Sequence, residues 1–116
     1  MDSRRRGRFR RILDERRTAA RQRLAALDGD LTLLTDARGA ATADDEHDPE
    51  GVTLSDEWSR LAGMREGIER ELDDIRAAEE RIEAGSYGVC SVCGTDIPVE
   101  RLEARPFTDR CVACAA

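Results

Sequence analysis

Residues 54–84 read LSDEWSRLAGMREGIERELDDIRAAEERIEA, and within them Leu54, Leu61, Ile68, Ile75 and Ile82 recur every seven residues. Trp58 and Leu72 fill the alternate positions of the same repeat. Apolar side chains at that period lie along one edge of an α-helix, and the edge needs a second helix to cover it. The spacing predicts a helix over about 54–84, with Thr53 or Ser55 as N-cap, Asp56 and Glu57 in the first turn and Gly85 at the stop. Arg65 and Glu79 take the remaining seam positions, where charge weakens the seam and helps to fix its register.

Upstream, Leu13, Ala20, Leu27 and Leu34 repeat in the same way, with Leu24 and Leu31 interleaved, which predicts a first helix over about 7–39. Thirty helical residues span roughly 45 Å. Between the two lies RGAATADDEHDPEGVT, residues 38–53, whose Gly, Pro and acids read as a connecting loop. Its acids are crowded, with Asp44, Asp45, Glu46, Asp48 and Glu50 in five of seven consecutive positions. Like charges at that density stay solvated unless a cation or a basic cavity receives them. The expected fold class is therefore mainly α: a long antiparallel coiled-coil hairpin over 1–84 with an acidic tip loop at about 38–53.

Composition agrees with helices and argues against a large compact core. Of 116 residues, 38% are charged and only 3% aromatic, so little bulky apolar surface is available for burial. Charge is unevenly placed: residues 1–23 carry ten Arg against three acids, and residues 24–116 carry nine Arg against twenty-two acids. The net charge of −6 excludes a surface that is basic throughout. The cluster of Arg4, Arg5, Arg6, Arg8, Arg10 and Arg11 is open to three readings: phosphate contact, contact with an acidic protein surface, or a solvated helix end. The chain has no lysine. No apolar run of about 18 residues and no secretory pattern is present, so the expected location is cytoplasmic.

After Gly85 the helical repeat stops. Cys90 and Cys93 form one pair two residues apart, Cys111 and Cys114 another, and seventeen residues separate the pairs. Two such turns can present four thiolates to one tetrahedral zinc ion, and Gly94 supplies the backbone freedom the first turn needs. In a reducing compartment the pairs are expected to hold metal rather than disulfides. Residues 85–116 are thus expected to be a zinc-finger module with Zn2+ as cofactor. Four thiolates close the coordination shell and no nucleophile with a partner base is evident, so the chain is not expected to be an enzyme.

Gly88, Cys90, Cys93, Gly94, Ile97, the run Arg101-Leu102-Glu103-Ala104-Arg105-Pro106, Cys111 and Cys114 together resemble the zinc-finger signature of the DksA/TraR family. The resemblance implies a transcription regulator that binds bacterial RNA polymerase through its zinc module and coiled coil. Such a regulator places an acidic tip in the secondary channel to modulate initiation, without sequence-specific DNA contact or a membrane. It also implies a role for an Asp-x-x-Asp-x-Ala motif at the tip, matched here by Asp45 and Asp48 with Glu50 in place of Ala. Arg105 matches a position used for partner or nucleotide contact, whereas Asp74 and Ala115 stand where lysines of members that respond to guanosine tetraphosphate align. The chain stops two residues after Cys114, so the C-terminal helix of longer members is expected to be absent.

Two rival functions are weighed beside this one. The acids at Asp44 to Glu46 would also suit a transcript-cleavage-like factor that recruits a magnesium ion, and the Arg-rich start would suit a zinc-ribbon nucleic-acid binder. His47, the lone histidine, lies in the same loop and is read as solvated; Trp58 is read as seam packing. The chain is expected to be a monomer, its loop being long enough for the two helices to fold back on each other.

Overall fold

The computed structural model describes residues 1–42 and 49–115. Its fold is mainly α, as the heptads predicted: α1 covers Ser3–Thr42, α2 covers Pro49–Ala84 and a short α3 covers Val99–Ala104. Among the described residues there is no strand, only one isolated antiparallel bridge between Val89 and Asp96.

Both long helices run further than the repeat indicated. α1 starts four residues before Gly7 because Asp2 caps it, its side-chain oxygen accepting from the Arg5 amide at 2.7 Å. Its far end continues past Gly39, since Ala40 and Ala41 are among the best helix formers. α2 starts at Pro49 rather than near Leu54. In the sequence this proline reads as a loop signal, but at a first helical position its fixed φ suits the helix and its missing N–H costs nothing. The expected loop over 38–53 is corrected accordingly: 38–42 and 49–53 are helical, and Thr53 and Ser55 lie inside α2 instead of capping it. Gly85 does end the helix. With φ at +78°, it closes a double-bonded turn in which its own amide reaches the Ile82 carbonyl and the Ser86 amide reaches that of Arg81.

The chain divides into two compact units. One comprises Ala20–Arg70. Here Ala20, Leu27, Leu61 and Ile68 are buried, while Leu24, Leu31, Leu34 and Leu54 are half-covered. Arg65 is satisfied within the seam region: its Nε donates to Asp28 of the facing helix at 2.6 Å, and it also pairs with Glu69 one turn along α2. Trp58 departs from its expected place. It is 39% exposed, because a two-helix seam is too narrow to cover an indole.

The other unit comprises Met1–Ala19 with Glu71–Ala116. Its helical segments run antiparallel, as ion pairs from Arg10 to Glu83 and from Arg17 to Glu79 require. Phe9, Leu13, Ile75, Ala78 and Ile82 bury one continuous core with Tyr87, Cys90, Ile97 and Leu102. The cysteine-bearing segment and the adjoining helix ends therefore share their apolar interior, which a module this small could not supply alone.

Candidate metal centre

Each cysteine pair sits on a tight turn of the same form. The Gly94 amide donates to the Cys90 carbonyl at 2.9 Å, and the Ala115 amide to the Cys111 carbonyl at 3.0 Å. Gly94 adopts φ +77°, which a side chain would resist. The first turn is closed behind the cysteines by Cys90 N–H to Thr95 O at 2.8 Å and Ile97 N–H to Gly88 O at 2.7 Å.

α3 carries the chain from the first turn to the second, anchored by Leu102, which is 1% exposed. The second turn is then fixed by polar ties. Ser91 N–H donates to Asp109 O at 2.8 Å while the Ser91 hydroxyl meets the Asp109 carboxylate at 3.1 Å. Arg101 Nε donates to Arg110 O at 2.8 Å, and Arg81 of α2 reaches the Phe107 carbonyl at 3.2 Å. These four side chains hold two separate stretches of chain at the distance the sulfurs need.

The four Sγ atoms of Cys90, Cys93, Cys111 and Cys114 lie within 4.8 Å of one another. Cys93 and Cys111 are 3.7 Å apart. A tetrahedral ion with bonds near ~2.3 Å to sulfur has an edge of roughly 3.8 Å, so the donor set fits a thiolate-bound metal and forms a metal-binding cluster. Cys90 is buried, Cys111 and Cys114 are half-buried, and Cys93 is exposed.

Local hydrogen bonds favour thiolate. Backbone N–H groups of Cys111 and Cys93 hold the Cys90 thiol down to about 6, against an opposing effect of desolvation. The Thr95 hydroxyl, 2.9 Å from Cys93 Sγ, lowers Cys93 in the same way, aided by the Thr95 amide. Cys114 goes the other way, to about 12, because its proton is shared with the sulfurs of Cys111, Cys93 and Cys90. Four sulfurs this close cannot all carry charge unaided, and a divalent cation is what relieves their repulsion.

The profile of the prokaryotic dksA/traR C4-type zinc finger matches residues 85–116. RNA polymerase-binding transcription factor DksA of Escherichia coli K12 is 31% identical over 106 residues, covering 91% of this chain and 66% of that protein. The chain belongs to the DksA/TraR family. An uncharacterized protein of Aquifex aeolicus is 50% identical over 44 residues, 38% of this chain and 30% of its own length. The structure of transcription factor DksA2 from Pseudomonas aeruginosa superposes with a TM-score of 0.82 at 24% identity, covering 97% of this chain and 81% of that one, which establishes a shared fold. This DksA/TraR chain spans no more than 66% of the length of those two curated relatives.

Within this member of the family, the structure brings together all four cysteines expected from the sequence. Arg105 is exposed at the end of α3 and lines a shallow cavity of about 450 Å³ with Asp74, Phe107, Thr108 and Asp109. Asp45 and Asp48, with Asp44, Glu46 and His47, lie outside the described residues. Two contributors were not foreseen. Thr95 had one available signal, a hydroxyl two residues beyond a ligand; the Ser91 to Asp109 tie joins residues eighteen apart and had none.

Proposed function

We propose that this chain is an RNA polymerase-binding transcription regulator whose four cysteines, Cys90, Cys93, Cys111 and Cys114, hold one structural zinc ion. The observation that carries the reading is the four-sulfur cluster set in a DksA/TraR zinc finger, on a fold shared with a known transcription factor. Zinc would supply folding energy and fix the finger, residues 85–116, against the start of α1 and the end of α2. It would do no chemistry, since the shell is filled by sulfur.

The finger and the coiled coil of residues 1–84 would dock on bacterial RNA polymerase. Asp45 and Asp48, in the segment joining α1 to α2, would then act in the secondary channel on a basic or magnesium-bearing cavity. Glu50 adds a negative charge where the family motif has Ala, and would alter the strength or sign of that effect. Arg105 is the candidate for a further partner or nucleotide contact. On this reading the protein works as a cytoplasmic, non-enzymatic monomer without sequence-specific DNA recognition; among the described residues no helix is long and apolar enough to cross a membrane.

In vitro transcription with purified polymerase tests the proposal. Wild type should change initiation at responsive promoters. Asp45→Asn/Asp48→Asn should bind polymerase yet lose that effect, and Cys90→Ser should lose binding. Shortening of RNA in stalled elongation complexes would instead favour the cleavage-factor reading.

A further inference from the structure

Arginines at the start of α1 fall into two groups. Arg8 is paired with Glu103 at 2.8 Å, Arg10 with Glu83 at 2.8 Å, and Arg17 with Asp14 and Glu79. These three bind the segment to its own unit. Arg4, Arg5, Arg6 and Arg11 meet no carboxylate among the described residues, although the helix holding them is well anchored: Phe9 and Leu13 are both 0% exposed.

Helical phase then sorts the free side chains. Arg4 and Arg11 stand at i and i+7, on the side of α1 turned away from Phe9 and Leu13, and Arg5 flanks them. Arg8 is engaged inside the unit, its guanidinium paired with Glu103 and lying over the Phe9 ring at 5.6 Å. The stripe covers roughly 10 Å of helix axis. From Ser3 to Leu13 there are six arginines and no acid. Large exposed apolar side chains are also missing from this stretch apart from Met1 next to it; the others, Leu33, Trp58, Met64, Val92 and Val112, lie elsewhere.

That combination selects between partners. A protein partner would be expected to mix charges and to seat an aromatic or apolar anchor at the centre of the contact. A DNA backbone offers uniform negative charge, one phosphate per ~3.4 Å of axis on each strand, and needs only guanidinium forks to meet it. The acidic remainder of the chain repels the same backbone, so contact is confined to this one face.

We propose that the face formed by Arg4, Arg5 and Arg11 binds the phosphate backbone of duplex DNA without regard to sequence. The contact depends on neither polymerase nor the residues between α1 and α2, so it is measured with the zinc-loaded full chain alone. Fluorescence anisotropy on two labelled duplexes of unrelated sequence should give equal affinities. Two or three phosphates neutralised predict a log–log salt slope of about −1.8 to −2.7, or roughly a 12- to 42-fold loss between ~50 and ~200 mM salt.

The triple variant Arg4→Ala/Arg5→Ala/Arg11→Ala should weaken binding and flatten the slope by nearly one for each arginine. Its zinc content and melting temperature should match wild type, because those side chains make no internal ion pair. Wild type that ignores DNA at ~50 mM salt, or a variant that binds as wild type does, overturns the proposal. So does loss of polymerase binding by the variant when wild type shows no DNA binding, which would assign the face to an acidic protein surface.

Discussion

Phe9, near the start of α1, and Tyr87, just beyond α2, meet with ring centroids 5.5 Å apart and planes inclined at 48°. The Tyr87 hydroxyl goes on to donate to the Pro106 carbonyl at 2.6 Å, on the approach to the second cysteine turn. Two side chains separated by 78 positions thus tie α1, the end of α2 and the finger into one core. Phe9→Ala should cost about 3–5 kcal/mol through the cavity it leaves. Tyr87→Phe should cost about 1–3 kcal/mol by leaving a buried carbonyl without its donor. Urea unfolding of the zinc-loaded chain measures both.

Burial raises Tyr87 from 10.0 to about 12, despite the opposing charge of Arg81. The raised value has a definite sign. The folded state disfavours tyrosinate, so this contribution is complete below pH 10 and is lost progressively as pH rises towards 12. The chain has one tyrosine and no lysine, so near-ultraviolet tyrosinate absorbance reports this site alone. A native midpoint close to 12, falling to about 10 in denaturant, is the expected result.

Thr95 offers its hydroxyl to Cys93, the exposed ligand of the cluster. Thr95→Val keeps the size of the side chain and removes that donor. Losses of about 10- to 100-fold in metal affinity accompany removal of such supporting contacts. Zinc transfer to a chromogenic chelator should accelerate in Thr95→Val, and Thr95→Ser should restore the wild-type rate.

Arg65 holds a seam position that the repeat would give to an apolar residue, and its charge is answered by Asp28 and Glu69. Arg65→Leu should raise the melting temperature by extending the apolar seam past Leu61 and Ile68. It should also promote self-association, visible as a concentration-dependent sedimentation coefficient, because a polar seam residue helps specify register and partner number.

Much of this was readable in the sequence because it repeats. Ile68, Ile75 and Ile82 declare a helix edge by their period, and two close cysteine pairs declare a metal by their spacing. Phe9 was not readable as core: it is flanked by arginines on both sides, and its partner Tyr87 is brought to it only by tertiary packing. Pro49 misled for a related reason, since the same residue that breaks a helix interior is well suited to a helix start. The Ser91 to Asp109 tie depends on how α3 carries the chain back, which no local pattern encodes.

The central claim is that a zinc-built finger docks this chain on RNA polymerase. Its most direct test is co-purification of the zinc-loaded chain with core RNA polymerase from a GC-rich bacterium, beside Cys90→Ser and Asp45→Asn/Asp48→Asn. Retention of wild type and of the aspartate variant, with loss of Cys90→Ser, is the predicted result. Failure of polymerase to retain wild type, under conditions where its zinc content is one per chain, would contradict it.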